Sequence, residues 1–343
     1  MVKPIDISAD EARVLDWIET RADGMVATLQ DWVRINSGSR NADGLETMRA
    51  ELERVFAETG GTVRAVELPA SQAVAPDGSV VEQGYTPSFH LSVRPDADVK
   101  IVLTGHHDTV FPKADSFQDW RMLDADTMNG PGAADMKGGI LVMLHGLLAL
   151  ERSPHAQSVG YDVLISPDEE IGSQGSAGAI HALGAKAHVG MTYEPALADG
   201  SLAGGRKGSG NWALKVSGKS AHAGREHHVG RNAIIAAAEF ATRLDALNGQ
   251  RDGVTFNLSR IDGGGPTNVV PANAVARFNV RVKDADDEAW VLGQIAALEA
   301  VTNQRDGITA SLHGGFTRPA KPMTPANAQM FEWTRTAGAA LGL

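Results

Sequence analysis

Cysteine is missing altogether from the 343 residues. Disulfides and thiolate metal sites are therefore both excluded, and any transition metal must be held by His, Asp and Glu. Basic residues are also short: 31 Lys and Arg against 42 Asp and Glu leave a net charge of -11. That balance argues against a nucleic-acid partner, which would favour a basic patch, and it keeps a protein soluble. Met1 to Asp10 lacks the apolar stretch of a secretory signal. The expectation is a cytoplasmic protein with no membrane partner. A helix predicted over Met136 to Leu150 is apolar, but on this reading too short to span a bilayer. What remains, 43% apolar and 21% charged, is ordinary globular composition, in a chain long enough for two domains.

The stretch Ile101 to Val110, Ile-Val-Leu-Thr-Gly-His-His-Asp-Thr-Val, organises the rest. Ile101 to Leu103 predict a buried strand stopped by a glycine, and His106 and Asp108 follow at its end. In open α/β sheets that is where ligands bind. Histidine at i and aspartate at i+2 suit a metal ligand whose other ring nitrogen is oriented by a carboxylate. They equally suit a polar loop turn.

Upstream, Ser8 to Ile35 carries two helical patterns with Gly24 near their junction, and Leu45 to Glu58 a third helix ended by Gly60-Gly61. Strands are predicted at Thr62–Leu68, Phe89–Val93 and Val99–Leu103, the first two separated by a loop rich in Pro, Ser and Gly. This is half of an α/β layered sheet. Downstream, Asp135 opens the buried helix, as an N-cap or as a ligand. His145, inside that helix, reads as a hydrogen-bonded core residue. The strand Tyr161–Ser166 ends in Asp168-Glu169-Glu170. Adjacent glutamates cannot both face the same way, so one could bind a cation while the other takes a proton from water. A solvated acidic turn is the competing reading. A further strand, Ala187–Thr192, ends at Glu194. Four regions thus present His106, Asp135, Glu169 with Glu170, and Glu194, a coincidence that four independent polar turns explain poorly.

Gly-His-His-Asp-Thr-Val, Gly-Pro-Gly-Ala-Ala-Asp-Met-Lys-Gly-Gly, Asp-Glu-Glu-Ile-Gly-Ser and Tyr-Glu-Pro resemble, in order and spacing, the M20 zinc metallopeptidase family, and most closely its glutamate carboxypeptidase branch. The resemblance runs from about Asp31 to Pro319. It implies two zinc ions per subunit: His106 and Glu194 on one, Glu170 on the other, and Asp135 bridging both. Glu169 would be the general base and Asp108 the residue that orients His106, and the Asp135–Met136 peptide would be cis. Relatives of this kind hydrolyse an amide or peptide bond in a small substrate with a free carboxylate. An N-acyl amino acid deacylase of the acetylornithine deacetylase or desuccinylase type is the neighbouring alternative. A non-hydrolytic dimeric binding protein with an incomplete metal site is the alternative of another class.

The second half alternates differently. Strands near Trp212–Val216, Val254–Ile261, Ala274–Val282 and Ile308–His313, with helices Asn232–Leu247 and Asp286–Val301, give the order β-α-β-β-α-β of a ferredoxin-like unit. The fold class expected is thus α/β in two domains. A zinc-peptidase α/β catalytic domain, residues 1–206 and 319–343, would carry an inserted ferredoxin-like α+β lid, 207–318. By the resemblance this lid forms a homodimer, His222 crosses the interface to the partner's oxyanion, and Asn268, Arg281 and Arg318 bind a dipeptide or other small substrate. The guanidinium fork suits a carboxylate. His227 and His228 have no assigned role. A last helix is predicted over Ala326 to Ala340. Relatives then continue to a histidine that completes the second zinc site, whereas none follows His313. The corresponding expectation is an incomplete form whose Glu170 zinc site lacks a ligand.

Overall fold

Ser8 begins the folded chain as a capping box: its hydroxyl accepts the Glu11 N–H and the Glu11 carboxylate accepts the Ser8 N–H. The computed structural model describes residues 5–343, so the first four residues of the expected catalytic domain lie outside the described residues. Helix α1 (Ala9–Glu19) is followed by α2 (Ala22–Arg34) and α3 (Ala42–Phe56). The break between α1 and α2 falls at Thr20 and Arg21, with Gly24 close to it in the first turn of α2. A short 3-10 turn extends α3 to Thr59, and Gly60 ends it in the left-handed conformation.

Next come β1 (Thr62–Val66), β2 (Ser71–Val74), β3 (Val80–Gln83), β4 (Ser88–Val93) and β5 (Val99–His106), then the two-residue strands β6 (Arg121–Met122) and β7 (Met128–Asn129). Helix α4 (Gly138–Arg152), β8 (Val159–Ser166), α5 (Ala177–Gly184) and β9 (Val189–Thr192) complete this part. The main sheet has the order β1-β4-β8-β5-β9. Its first pairings are antiparallel, whereas β8–β5 and β5–β9 are parallel. Phe89, Leu91, Leu103, Val163 and Ile165 of this sheet share a core with Met48, Leu52 and Phe56 of α3 and with the α4 residues Ile140, Leu144 and Leu147. The segment Ala133–Arg152, 20 residues, is long and apolar enough to cross a membrane by length and composition. Asp135 and Met136 interrupt its helical geometry, however, and α4 itself, 15 residues, agrees with the helix read over Met136 to Leu150 to within two residues at each end. Here much of its apolar surface is spent on that core.

The second part comprises β10 (Gly208–Ser217), α6 (Ala233–Asp245), β11 (Thr255–Gly263), β12 (Asn273–Val282), α7 (Ala285–Asn303) and β13 (Thr309–Arg318), then α8 (Pro325–Ala340). The sheet order β11-β12-β10-β13, antiparallel throughout, is that of a ferredoxin-like unit. Asn232 caps α6 by accepting the Ile235 N–H at 3.1 Å. Ala276, Phe278, Val280 and Val282 of β12 face the helices, packing with Phe240, Val291 and Ile295.

Two compact units emerge: Met1–Ala70, Gly84–Leu202 and Glu332–Leu343 form one, Ser71–Gln83 and Ala203–Phe331 the other. The lid boundary expected at 207–318 thus gives way to 203–331 plus a hairpin, β2–β3, taken from the earlier part of the chain. Val74 of that hairpin packs with Ala213 and Val275, and its carbonyl accepts the Arg277 guanidinium at 2.6 Å. The face of the β12 strand turned away from α6 and α7 therefore has its own apolar cover.

Candidate metal centre

The strand β5 does not stop at its glycine. Gly105 and His106 continue the ladder opposite Ile165 and Ser166 of β8, so both chains leave the sheet side by side. The β5 exit carries His106 and Asp108, and the β8 exit carries Glu169 and Glu170. Asp135 comes from the entry to α4, after a left-handed Gly132 with φ 69°. Its backbone is not helical (φ -120°, ψ 95°) and Lys137 occupies the N-cap position, so the N-cap reading of Asp135 fails. The Asp135–Met136 peptide bond is cis. Gly139 matters for a fourth residue: a Cβ there would collide with the Tyr193 carbonyl oxygen. Glycine alone lets the segment bearing Glu194 lie against the start of α4.

These elements bring His106, Asp135 and Glu194 together, with ligand atoms all within 4.8 Å of one another. The His106 Nε2 lies 2.9 Å from Asp135 Oδ1 and 3.8 Å from Glu194 Oε1. On the other side of the ring, Nδ1 meets the Asp108 backbone carbonyl at 3.0 Å and its carboxylate at 3.3 Å. Burial works against charge on this imidazole, but Asp108, Asp135 and Glu194 outweigh it and push the group up to about 12. An environment that holds a proton so firmly among carboxylates is one that suits a cation. One imidazole nitrogen and two carboxylate oxygens are also the donor types that zinc takes.

Asp108 does more than orient His106. Fully buried, it accepts the backbone N–H of Glu169 on Oδ1 and that of Glu170 on Oδ2, both at 3.1 Å, and the Ser39 hydroxyl at 2.7 Å. It thereby pins the turn carrying the two glutamates to the strand end carrying the histidine. Ser39 was invisible as a site residue, because nothing local marks a serine whose partner lies 69 residues away. Glu170 stands outside the three-residue group. Burial first, then the charges of Asp135, Asp108 and Glu169, raise its carboxyl to about 7, against the pull of His106. His107, beside the ligand, is a different case. Burial lowers its ring to about 4, and neither nitrogen has a hydrogen-bond partner among the described residues. Lys137 is buried too, its ammonium donating to the Trp32 and Ile35 carbonyls at 2.9 and 2.8 Å. His145 is a core residue as read, bonded through Nδ1 to the Leu141 carbonyl at 3.0 Å.

The remaining sequence candidates lie in the second unit. His222 and Asn268 share a local pairing, in which His222 bridges Val269 and the Asn268 carbonyl accepts the Ala223 N–H at 2.8 Å. The His222 Nδ1 accepts the N–H of Gly224 and of Arg225, each at 3.1 Å. Its proton therefore sits on Nε2, which is left as the donor. Arg281 and Arg318 occupy one row across the sheet, each opposite Ser209 of β10. His227 and His228 are exposed in a short 3-10 turn, and His313 lies within β13.

Residues 204–304 match the peptidase dimerisation domain of the M20 type. The chain is 27% identical over 264 residues to carboxypeptidase G2 of Pseudomonas sp. (strain RS-16), covering 77% of this chain and 61% of that protein. It is 30% identical over 251 residues to succinyl-diaminopimelate desuccinylase of Maricaulis maris, covering 65% and 62%. The chain thus spans about three fifths of the length of these curated relatives. Among solved structures, an M20 family metallo-carboxypeptidase from Sulfolobus solfataricus superposes with a TM-score of 0.63 at 18% identity, over 83% of this chain and 77% of that one.

Proposed function

We propose, for a chain whose residues 204–304 match the M20-type peptidase dimerisation domain and whose fold is like that of an M20 metallo-carboxypeptidase, membership of the M20 peptidases and metal-dependent hydrolysis of an amide or peptide bond in a small substrate with a free carboxylate. The observation that carries this reading is the His106, Asp135 and Glu194 group beside a glutamate pair held by Asp108. His106, Asp135 and Glu194 would hold one zinc ion, and Glu170 with Asp135 a second. Bound there, zinc supplies Lewis acidity toward the scissile carbonyl and makes water a stronger nucleophile.

The protein's own groups divide the other work. Asp108 fixes the His106 ring, leaving Nε2 toward the carboxylates, and fixes the backbone of Glu169. Glu169 takes a proton from the attacking water and delivers it to the leaving amine nitrogen. Asn268, Arg281 and Arg318 bind the substrate's free carboxylate, the arginines as planar forks. In a homodimer formed through the second unit, His222 Nε2–H donates to the oxyanion in the partner's site, a contribution of roughly 3–4 kcal/mol for such a donor.

The desuccinylase relative supports a deacylase variant of the same chemistry. Steady-state hydrolysis of dipeptides, N-acetyl and N-succinyl amino acids by zinc-loaded protein separates these substrates. No turnover on any of them would favour the binding-protein alternative. Mixing His222→Ala with Glu169→Gln protein tests the dimer. One site of the heterodimer keeps its own Glu169 and receives an intact His222, so activity returns. Heterodimers without recovery would rule out His222 acting across the interface.

A further inference from the structure

Resting on the assignment of Arg281 to the substrate's free carboxylate, we propose that Asn279 is a positioning residue for that recognition. It aims the Arg281 guanidinium while leaving its charge for the ligand. All the contacts involved lie within the second unit.

Arg277, Asn279 and Arg281 alternate along β12 with the buried Ala276, Phe278, Val280 and Val282. The three polar side chains therefore share the face turned away from α6 and α7. The two arginines of this row are held in different ways. Arg277 donates through Nε to the Asp262 carboxylate at 3.2 Å and through Nη2 to the Val74 carbonyl at 2.6 Å. Its charge is met by an acid and its fork is spent on the protein. Arg281, which is exposed, donates through Nε to the Asn279 side-chain oxygen at 3.0 Å. A neutral amide fixes one edge of the guanidinium without cancelling its charge. With Nε engaged, the two η nitrogens remain as the fork that matches a carboxylate.

The amide is itself fixed. Its nitrogen lies 2.8 Å from Asn211 Oδ1, 3.0 Å from the Gly210 carbonyl oxygen and 3.1 Å from Ser209 Oγ. A carbonyl only accepts and a guanidinium only donates, so one orientation of the amide satisfies both. Arg318 reaches the same face through a bulge. Gly210 stands opposite Phe316, but Ser209, the next residue along, stands opposite Arg318, so Thr317 is an extra residue in β13. Phe316 faces the helix side, where its ring meets Trp212 edge-on at 5.0 Å. Strict alternation would send Arg318 after it, and the bulge instead turns Arg318 to the face of Ser209 and Arg281. Both arginines thus flank Ser209, each one strand spacing of about 4.8 Å away, within reach of a single carboxylate.

The test is the ratio of kcat/KM for N-acetyl amino acids over their C-terminal amides. Asn279→Asp keeps the shape and the acceptor for Arg281 Nε but supplies an internal anion, and should lower the ratio at least about tenfold. Asn279→Ala, which only frees the guanidinium, should lower it by about threefold to tenfold. Both losses should fall on KM for the carboxylate substrates, the mark of binding lost equally in ground and transition states. In an Arg281→Ala background neither substitution should change the ratio further. Melting temperatures check that each variant is folded. A ratio unchanged in either folded variant, or an equal loss in the Arg281→Ala background, overturns the proposal. A ratio kept by Arg281→Ala alone overturns the carboxylate assignment first, and the role of Asn279 with it. If nothing turns over, hydrolysis is wrong, and binding of N-acetylalanine against N-acetylalaninamide to metal-free protein, by saturation-transfer NMR, decides. A wild-type preference for the carboxylate that Asn279→Asp abolishes supports the positioning role. No preference, or one that Asn279→Asp keeps, rejects it.

Discussion

In the second unit, the sheet and its two helices close over Trp212, Phe240, Phe278 and a set of Val, Ile and Ala. Among the described residues, the buried polar or charged side chains of that unit are Ser209, Asp287 and Thr302. The first unit buries His90, His106, His107, His145, Asp108, Asp168 and Lys137. Buried polar groups cost free energy unless they are partnered, and most of these have a specific partner. His90 sits between Arg64 and Asp162, each at 2.8 Å, and Asp168 accepts the Gly175 N–H at 2.8 Å. The contrast teaches where each unit's specificity lies. Both units are held by an apolar core, and the first adds buried directional contacts, of which those of His106 and Asp108 lie at the end of its sheet where the ligand-type residues are. Sequences depart from simple core rules where chemistry demands it.

Three substitutions sharpen that contrast. The largest effect is expected for Glu169→Gln, which should lower kcat by about 10²–10⁴-fold, the usual contribution of a general base, with zinc content and melting temperature kept. Near-normal kcat would place the base elsewhere. Next, Phe278→Ala removes a ring stacked on Trp212 at 5.7 Å and packed on Phe240. It should cost about 3–5 kcal/mol of stability by urea denaturation while zinc affinity holds. If zinc affinity falls in step with stability, the two units are not independent in the way their cores suggest. Smallest, Lys137→Met strands the Trp32 and Ile35 carbonyls at the end of α2, at a cost of about 1–3 kcal/mol. An unchanged melting temperature would mean that those carbonyls find other donors.

Much of this arrangement was legible in the residues. The ferredoxin-like order followed from alternation in β12, where Ala276, Phe278, Val280 and Val282 are buried and Arg281 is exposed. The site candidates were legible because glycine-flanked motifs fell at strand and helix ends. What escaped reading depended on distant partners. The strand read as ending at Leu103 is carried three residues further, to His106, by its ladder with β8. The hairpin β2–β3 was read as loop although Asp77-Gly78 is a hairpin signal, since its short strands gain their burial from Ala213 and Val275, far along the chain. His106 and His107 are neighbours of one type, and only the fold decides that one meets Asp135 while the other is sealed in the core. The clamp that Asp108 places on Glu169 and Glu170 likewise joins segments 61 and 62 residues apart.

The central claim is that His106, Asp135 and Glu194 form a metal site. Zinc affinity of the metal-free protein, measured by isothermal titration for wild type, His106→Ala, Asp135→Asn and Glu194→Gln, tests it most directly. The account predicts that each substitution weakens zinc by at least about 10–100-fold, the loss that removing even an outer partner of a ligand gives. Wild-type affinity retained in all three variants would contradict it.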